Sequence, residues 1–89
     1  MILNVISAEY KGAYKVFLSF NNGESFLVDL EETIFNDHRK IFELLRDPQY
    51  FKNFQIRMNT ITWENEADFA PEFLLELGRK SVGSHKVNA

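Results

Sequence analysis

Cysteine is absent from this sequence, and glycine, proline and histidine are scarce, with four, two and two residues respectively. Without cysteine, neither a disulfide nor a thiolate metal site is possible. His38 and His85 lie far apart in the chain and match no metal-ligand spacing. We therefore expect no metal, no cofactor and no Ser–His or Cys–His nucleophile.

Long apolar runs are also missing. No stretch approaches the about 18 apolar residues of a membrane span, and the short apolar start lacks the basic region of a signal peptide. The net charge is −3, and the ten basic side chains are interleaved with thirteen acidic ones, whereas nucleic-acid and anionic-membrane surfaces need a basic field. We expect a cytoplasmic protein that binds no membrane and for which a nucleic-acid partner is disfavoured.

Aromatic residues are abundant: nine Phe, three Tyr and one Trp among 89 residues. A chain of this length forms one domain with a small core, and each aromatic side chain buries about 150–250 Å². The aromatic residues therefore supply the bulk that disulfides or a metal supply in other small domains. A homodimer interface would bury further area, and this possibility stays open.

The N-terminal third of the chain predicts a three-stranded antiparallel meander. Branched residues fill 2–9, and apolar residues alternate with others over 14–20 and 25–30, which is the period of a half-buried strand. Residues 10–13 are expected to form the first turn. The Asn-Gly pair at 22–23 predicts a type I′ turn between the second and third strands, because both residues tolerate positive φ.

Both faces of this sheet carry apolar residues. Phe26 and Val28 lie on one face, whereas Phe17 and Leu27 lie on the opposite face. The second face is therefore either covered by a helix or available to a partner. Asp29 shares it, and a carboxylate at the end of a strand is expected to cap the following segment rather than to act in catalysis.

The middle of the chain predicts a helix followed by one more turn. Apolar residues between 34 and 45 recur at helical spacing, and Asp37 is a suitable N-cap. Pro48 ends this helix, because the residue before a proline avoids the helical region. One further helical turn is expected at residues 48–51.

A short two-stranded hairpin is expected next, with strands at 55–58 and 61–64 joined at residues 59–60. Trp63 lies in its second strand. A buried core position is favoured for this tryptophan over a role as a ligand platform, because large aromatic side chains dominate small cores.

The last predicted element is a C-terminal helix. Asp68 is expected as its N-cap, accepting a hydrogen bond from the amide of Ala70, and Pro71 falls in the first turn. Glu72 lies at the positive end of the helix dipole. Gly78 is expected just beyond the helix, at C′.

These elements predict an α+β fold: a three-stranded antiparallel meander, a middle helix, a short two-stranded hairpin and a C-terminal helix packed on the sheet. Residues 1–78 would form a single domain. Residues 79–89 show no periodicity and are expected to be a flexible C-terminal tail.

Five short motifs occur in a characteristic order: F-x-x-G-E at 20–24, V-D-L at 28–30, L-x-D-P-x-x-F at 45–51, T-x-x-W at 60–63 and D-x-A-P-E-x-L at 68–74. Together they resemble the domain-of-unknown-function family 2442 of small bacterial proteins. The resemblance covers about residues 2–77. The sequence departs from it at 65–67, where the family more often has a glycine-containing turn.

The resemblance implies an α+β fold and no established activity. Members of the family are often encoded beside other small proteins, some of them toxin-like. An antitoxin-like or regulatory partner-binding role is therefore what the resemblance suggests.

An acidic cluster near the last helix has two interpretations. Asp68 and Glu72 lie four residues apart, with Glu64 and Glu66 nearby and Trp63 beside them. They form either an acidic lip that binds a ligand or acts as acid and base, or a capped helix with a solvated first turn. We favour the capped helix, because capping already accounts for these residues.

The function we favour is a protein-interaction module that binds a protein partner, itself, or both. The alternative is a small-molecule-binding protein or a minor enzyme that uses the acidic lip and has a concave pocket at the start of the last helix. A regulatory nucleic-acid binder is a third, disfavoured option. The candidate surface residues are Phe17, Leu27, Asp29, Trp63, Asp68 and Glu72.

Overall fold

A computed structural model describes the backbone of residues 2–87 and the side chains of residues 2–81. It contains a three-stranded antiparallel sheet, a separate two-stranded hairpin, short helices between them and a longer helix at the C-terminal end. The chain therefore has the α+β fold that the sequence predicts.

The sheet is a meander of β1 (Val5–Gly12), β2 (Lys15–Phe20) and β3 (Ser25–Asp29), with β2 in the centre. β1 begins and ends three residues later than expected. It carries two irregularities in register, between Val5 and Ser7 and between Tyr10 and Gly12. Such bulges disrupt the outer edge of a strand and discourage another chain from pairing with it.

The turns of the meander are not the expected ones. Ala13 and Tyr14, between β1 and β2, both have positive φ, 51° and 63°, as in a type I′ turn. In the second turn, residues 21–24, Gly23 alone has positive φ. Its amide donates to Phe20 O at 3.1 Å, and Phe20 N–H donates to Glu24 O at 2.9 Å. The type I′ prediction for the Asn-Gly pair is therefore wrong, because a longer loop needs one left-handed residue.

The second hairpin joins β4 (Gln55–Arg57) and β5 (Thr60–Thr62) through a turn at Met58 and Asn59. This is one residue earlier than predicted. Both turn residues have positive φ, 51° and 76°. The turn lies against the sheet, since Val5 N–H donates to Asn59 O at 2.9 Å.

The predicted middle helix is divided into several pieces. α1 (Glu31–Asn36) precedes Asp37, and two 3₁₀ turns, Lys40–Phe42 and Leu44–Arg46, follow it. The expectation that Asp37 is an N-cap of one long helix is therefore wrong. Its carboxylate accepts the amide of Arg39 at 3.0 Å, a local bond that competes with continuation of the helix.

The turn expected at residues 48–51 is confirmed as α2 (Pro48–Phe51). Pro48 occupies the first helical position, where a missing N–H costs nothing. The carboxylate of Asp47 accepts the amide of Gln49 at 3.0 Å and caps the turn.

α3 runs from Pro71 to Val87 and corrects two predictions about its ends. Asp68 is not its N-cap, because the helix begins three residues later, and the backbone of Asp68 instead pairs with Thr62 in an isolated antiparallel bridge. Gly78 does not end the helix, which continues through it. The division into a domain of 1–78 and a flexible tail of 79–89 stays a prediction, and residues 88–89 lie outside the described part.

The core lies between the inner face of the sheet, α3 and the hairpin. Val16, Leu18 and Val28 on the sheet are at most 1% exposed. A chain of aromatic rings extends this core toward the hairpin, where Phe51 contacts Trp63 at 5.4 Å and Trp63 contacts Phe69 at 5.8 Å between ring centroids. The aromatic residues thus supply the bulk that the sequence indicates.

Candidate functional site

The outer face of the three-stranded sheet is built from cross-strand pairs, and no helix among residues 2–81 covers its centre. Phe17 on β2 lies opposite Leu27 on β3. Their side chains are 39% and 46% exposed, so the expected apolar character of this face is present and open to solvent. We call the face formed by Lys15, Phe17, Ser19, Ser25, Leu27 and Asp29 the outer sheet face.

Polar pairs flank the central apolar pair on both sides. The hydroxyls of Ser19 and Ser25 lie 2.9 Å apart. At the other end, Lys15 Nζ lies 3.8 Å from a carboxylate oxygen of Asp29. The arrangement is an apolar centre with a polar rim, which is the usual anatomy of a protein-binding surface.

Asp29 has a structural role at the end of β3. Its carboxylate accepts the amide of Glu31 at 3.0 Å, at the start of α1. The prediction that Asp29 caps the following segment is therefore confirmed. Its other oxygen, Oδ2, is the one that lies near Lys15, so Asp29 joins the end of β3 to both α1 and β2.

A groove of about 370 Å³ lies between the outer sheet face and α3. Leu27 and Asp29 line one side, and Leu77, Lys80 and Ser81 line the other. α3 therefore extends the apolar centre of the outer sheet face beyond the edge of β3.

The position of α3 against the sheet depends on Gly78. A Cβ at this glycine would lie 2.5 Å from Cγ of Phe26, far inside van der Waals contact. The helix backbone therefore rests directly on the Phe26 side chain. The next residue, Arg79, donates from Nε to Glu24 at 3.0 Å, and this bond lowers the pKa of Glu24.

A second concavity, of about 350 Å³, lies at the start of α3, and we call it the α3 cleft. Its lining combines charged residues, aromatic residues and one hydroxyl. The lining residues are Thr33, Asp37, Arg39, Asp68, Phe69, Ala70 and Phe73.

Asp37 and Arg39 form a tight pair in the α3 cleft. Arg39 donates from Nε to Oδ1 at 3.0 Å and from Nη2 to Oδ2 at 2.8 Å. These bonds, with that from the Arg39 amide, lower the pKa of Asp37 to about 2. The guanidinium carbon of Arg39 also lies 4.8 Å from the centre of the Phe42 ring, a cation–π contact.

The structure does not gather Trp63, Asp68 and Glu72 into one site. Trp63 is 2% exposed and donates from Nε1 to Phe51 O at 2.8 Å, so its favoured core position is confirmed. Its exposed edge borders a separate, smaller pocket of about 130 Å³. Asp68 lines the α3 cleft, whereas Glu72 is exposed in the first turn of α3 and does not line it.

Sequence reasoning missed the α3 side of the groove and the charged pair in the cleft. Lys80 and Ser81 fall within the predicted tail because Gly78 is predicted to lie just beyond the end of the helix. A glycine between apolar and basic residues gives the same sequence pattern in two cases: when it follows the end of a helix, and when it lets a continuous helix pack closely on a sheet. The Asp-x-Arg spacing of 37–39 was a usable signal, since it favours a local side-chain-to-backbone bond.

Metal and membrane sites can be judged for the described part of the chain. Within it, no group of three or more His, Asp or Glu side chains is placed to hold a metal ion. No helix there is long and apolar enough to cross a membrane.

Comparison with known proteins gives one match. No curated protein and no solved structure matches the chain significantly. A family model described as "Protein of unknown function (DUF2442)" matches residues 5–80, which include the sheet, the hairpin and the part of α3 that packs on β3. The chain therefore belongs to the DUF2442 family.

Proposed function

We propose that this protein is a protein-interaction module that binds a protein partner through the outer sheet face. The observation that carries the proposal is the exposed pair of Phe17 and Leu27 at the centre of that face. Two large apolar side chains paired across neighbouring strands make a contiguous apolar patch, which is more informative than a single exposed residue.

The groove beside β3 supports the same proposal. It places Leu77 of α3 next to Leu27, with Lys80 and Ser81 at its margin. A partner segment seated on the outer sheet face would therefore contact the sheet below and the helix at its side. Lys15 and Asp29, which are 41% and 51% exposed in their side chains, would form part of the polar rim.

The size of the face sets the expected strength of binding. Together with the outer side of β1, the face spans three strands about 4.8 Å apart and about 17–20 Å long, which offer about 250–300 Å² per partner. A standard interface uses about 800 Å² per partner. The face thus suits a transient partner more than a stable homodimer, and an antitoxin-like or regulatory role would act through such binding.

The test compares capture by the purified protein and by a double variant, Phe17→Thr with Leu27→Thr. Threonine keeps the β-propensity of the strands while removing the apolar surface. Ile56→Thr on β4, where Ile56 is 42% exposed, is the matched control away from the outer sheet face.

We expect a partner from the native host to bind the wild-type protein and the Ile56→Thr control equally and to be lost with the double variant. Sedimentation of the wild-type protein at micromolar concentration should show a monomer. Capture that survives the double variant would contradict the proposal, as would capture of no partner at all. A stable dimer that the double variant dissociates would replace it with self-association.

A further inference from the structure

Three aromatic rings form a stack, and two of them, Phe69 and Phe73, line the α3 cleft. Phe42 and Phe69 lie 5.3 Å apart at 24°, and Phe69 and Phe73 lie 5.8 Å apart at 21°. Phe42 and Phe69 are buried, at 3% and 7% exposure, whereas Phe73 is 40% exposed. The stack therefore runs from the core to the surface and presents an open ring at its outer end.

At the inner end of the stack, the protein binds one of its own guanidinium groups. Arg39 lies over the Phe42 ring at 4.8 Å and is held by two bonds to the Asp37 carboxylate. An aromatic face and a carboxylate together recognise a flat cation, since the ring attracts its charge and the carboxylate accepts its N–H groups.

The lining of the cleft contains these two components a second time. Asp68 lines the cleft together with Phe73. Within residues 2–81, the Asp68 carboxylate makes no hydrogen bond and no ion pair, unlike Asp37. Because Asp37 and Arg39 neutralise each other, the cleft as a whole carries the negative charge of Asp68.

We propose that the α3 cleft binds an arginine side chain of a protein partner, with the guanidinium between the Phe73 ring and the Asp68 carboxylate. Arginine fits better than lysine, because a guanidinium is planar, weakly hydrated and stacks on aromatic rings. The cleft, at about 350 Å³, lies near the lower end of ligand pockets, which span about 300–1,000 Å³, so it suits one side chain. This site is separate from the outer sheet face and does not depend on it.

The test uses blocked amino acids that imitate single residues of a polypeptide. N-acetyl-arginine N-methylamide is titrated into the isotopically labelled protein up to tens of millimolar, and amide and aromatic resonances are followed by NMR. N-acetyl-citrulline N-methylamide, which has a neutral urea in place of the guanidinium, and the corresponding lysine compound are titrated in parallel. Free L-arginine tests whether a small molecule is the preferred ligand.

We expect the arginine compound to shift resonances of Phe73, Ala70 and Thr33, and to bind about tenfold more tightly than the citrulline compound and several-fold more tightly than the lysine compound. Asp68→Asn and Phe73→Leu should each weaken this binding about five- to tenfold. Glu72→Gln, which removes an equal charge from the first turn of α3 and outside the cleft, should change it less than twofold.

Four results would overturn the proposal. They are an absence of saturable shifts, equal binding of the arginine and citrulline compounds, unchanged affinity in Asp68→Asn, and shifts confined to residues outside the cleft. Tighter binding of free L-arginine than of the blocked compound would reject a polypeptide as the source. The spectrum of each variant without ligand shows whether it is folded, and Phe73→Leu provides an independent loss if Asp68→Asn is not.

Discussion

The three-stranded sheet and the segment between α1 and Phe69 are stabilised in different ways. The sheet is held by backbone ladders from Val5↔Phe20 to Lys15↔Asp29. The segment has short helical turns and a small hairpin, and it is held by side chains bonded to distant backbone groups. In such hydrogen bonds, the Tyr14 hydroxyl donates to Arg46 O, Trp63 Nε1 donates to Phe51 O, Asn65 Nδ2 donates to Ile41 O, and the Thr60 hydroxyl donates to Phe69 O.

This difference indicates which side chains are available for function. In the sheet, the backbone supplies the pairing, so outer side chains such as Phe17 and Leu27 are not needed to hold the fold. In the segment, a single side chain often closes a long-range contact, so its loss leaves a polar backbone group without its partner. Exposed positions of the sheet are therefore better places to look for binding residues.

The largest effect that separates the two regions is expected for Trp63→Phe. This change removes the indole N–H that donates to Phe51 O at 2.8 Å, and it leaves a cavity in the core, where Trp63 is buried. We expect a loss of about 2–4 kcal/mol in the free energy of unfolding, measured by urea denaturation. Leu27→Thr on the outer sheet face should cost less than about 0.5 kcal/mol. Similar losses for the two variants would remove the distinction between the regions.

Gly78→Ala is expected to have the next largest effect, and it tests a place where the α3 backbone contacts a side chain of the sheet. An alanine Cβ would lie 2.5 Å from Phe26 Cγ. We expect a net loss of about 1–2 kcal/mol, because overpacking outweighs the gain of about 1 kcal/mol in helix propensity.

Phe26→Ala provides the internal check on that result. Combined with Gly78→Ala, it should restore part of the loss relative to the sum of the two single variants. Ser81→Ala, at an exposed helical position, should instead be neutral or stabilising. A stabilised Gly78→Ala protein would mean that the helix has room to move off Phe26.

Glu66→Gly is expected to have a smaller effect, in the stabilising direction. Glu66 has a φ of 71°, in the turn where Trp63 N–H donates to Ala67 O at 2.9 Å. Glycine adopts this conformation without strain. We therefore expect the free energy of unfolding, measured by thermal or urea denaturation, to rise by about 0.5–1 kcal/mol.

Asn59→Gly is the control for that gain. Asn59 has a similar φ of 76°, but asparagine tolerates the left-handed region, so the change should be close to zero. An equal gain at both positions would attribute the effect to glycine in general rather than to strain at Glu66.

The smallest effect is the pH dependence that comes from Asp37. Its pKa is lowered from 3.8 to about 2 in the folded protein by the bonds from Arg39. As pH falls from 4 to 2, the unfolded chain binds a proton first, so the stability that this pair provides is lost over that range. Asp37→Asn should therefore show a flatter decline of unfolding free energy between these pH values. Parallel curves for the two proteins would show that the ion pair does not contribute.

The sheet was predictable because its signal is local and repeated. Alternation at Val16, Leu18 and Val28 determines both strand type and inner face. The same alternation places Phe17 and Leu27 together on the opposite face, but it does not decide whether a helix covers that face. The alternation does not tell which turn type joins the strands, and the type I′ turn formed at Ala13 and Tyr14 rather than at Asn22 and Gly23.

Tyr14 shows why the type of the turn between β1 and β2 could not be predicted from the sequence. Its left-handed φ is unfavourable locally, but its hydroxyl donates to Arg46 O and its ring contacts Phe35 and Phe51 at 5.5 and 5.3 Å. These contacts come from residues far along the chain. The conformational preferences of the neighbouring residues do not predict these contacts. The contacts outweigh the free-energy cost of the left-handed φ at Tyr14.

The α3 cleft was only half predictable. A concave pocket at the start of the last helix follows only from the alternative interpretation of Asp68, whereas the favoured interpretation is a capped helix; the structure places Asp68 in a cleft. Arg39 and Asp37 line the cleft because the predicted middle helix is interrupted at Asp37. Trp63 does not line it, because its side chain is buried in the core. Tertiary packing determines the position of Asp37 and Arg39 as well as that of Trp63. Neither position produces a recognisable pattern in the neighbouring sequence.

The direct contact of Gly78 with Phe26 also limits where this chain can change in length. One inserted or deleted residue between Pro71 and Gly78 would turn the rest of α3 by about 100° and move it by about 1.5 Å. The glycine would then no longer face Phe26, and Arg79 would no longer reach Glu24. Insertions should therefore be tolerated in the loop before Pro71 but not in the first two turns of the helix.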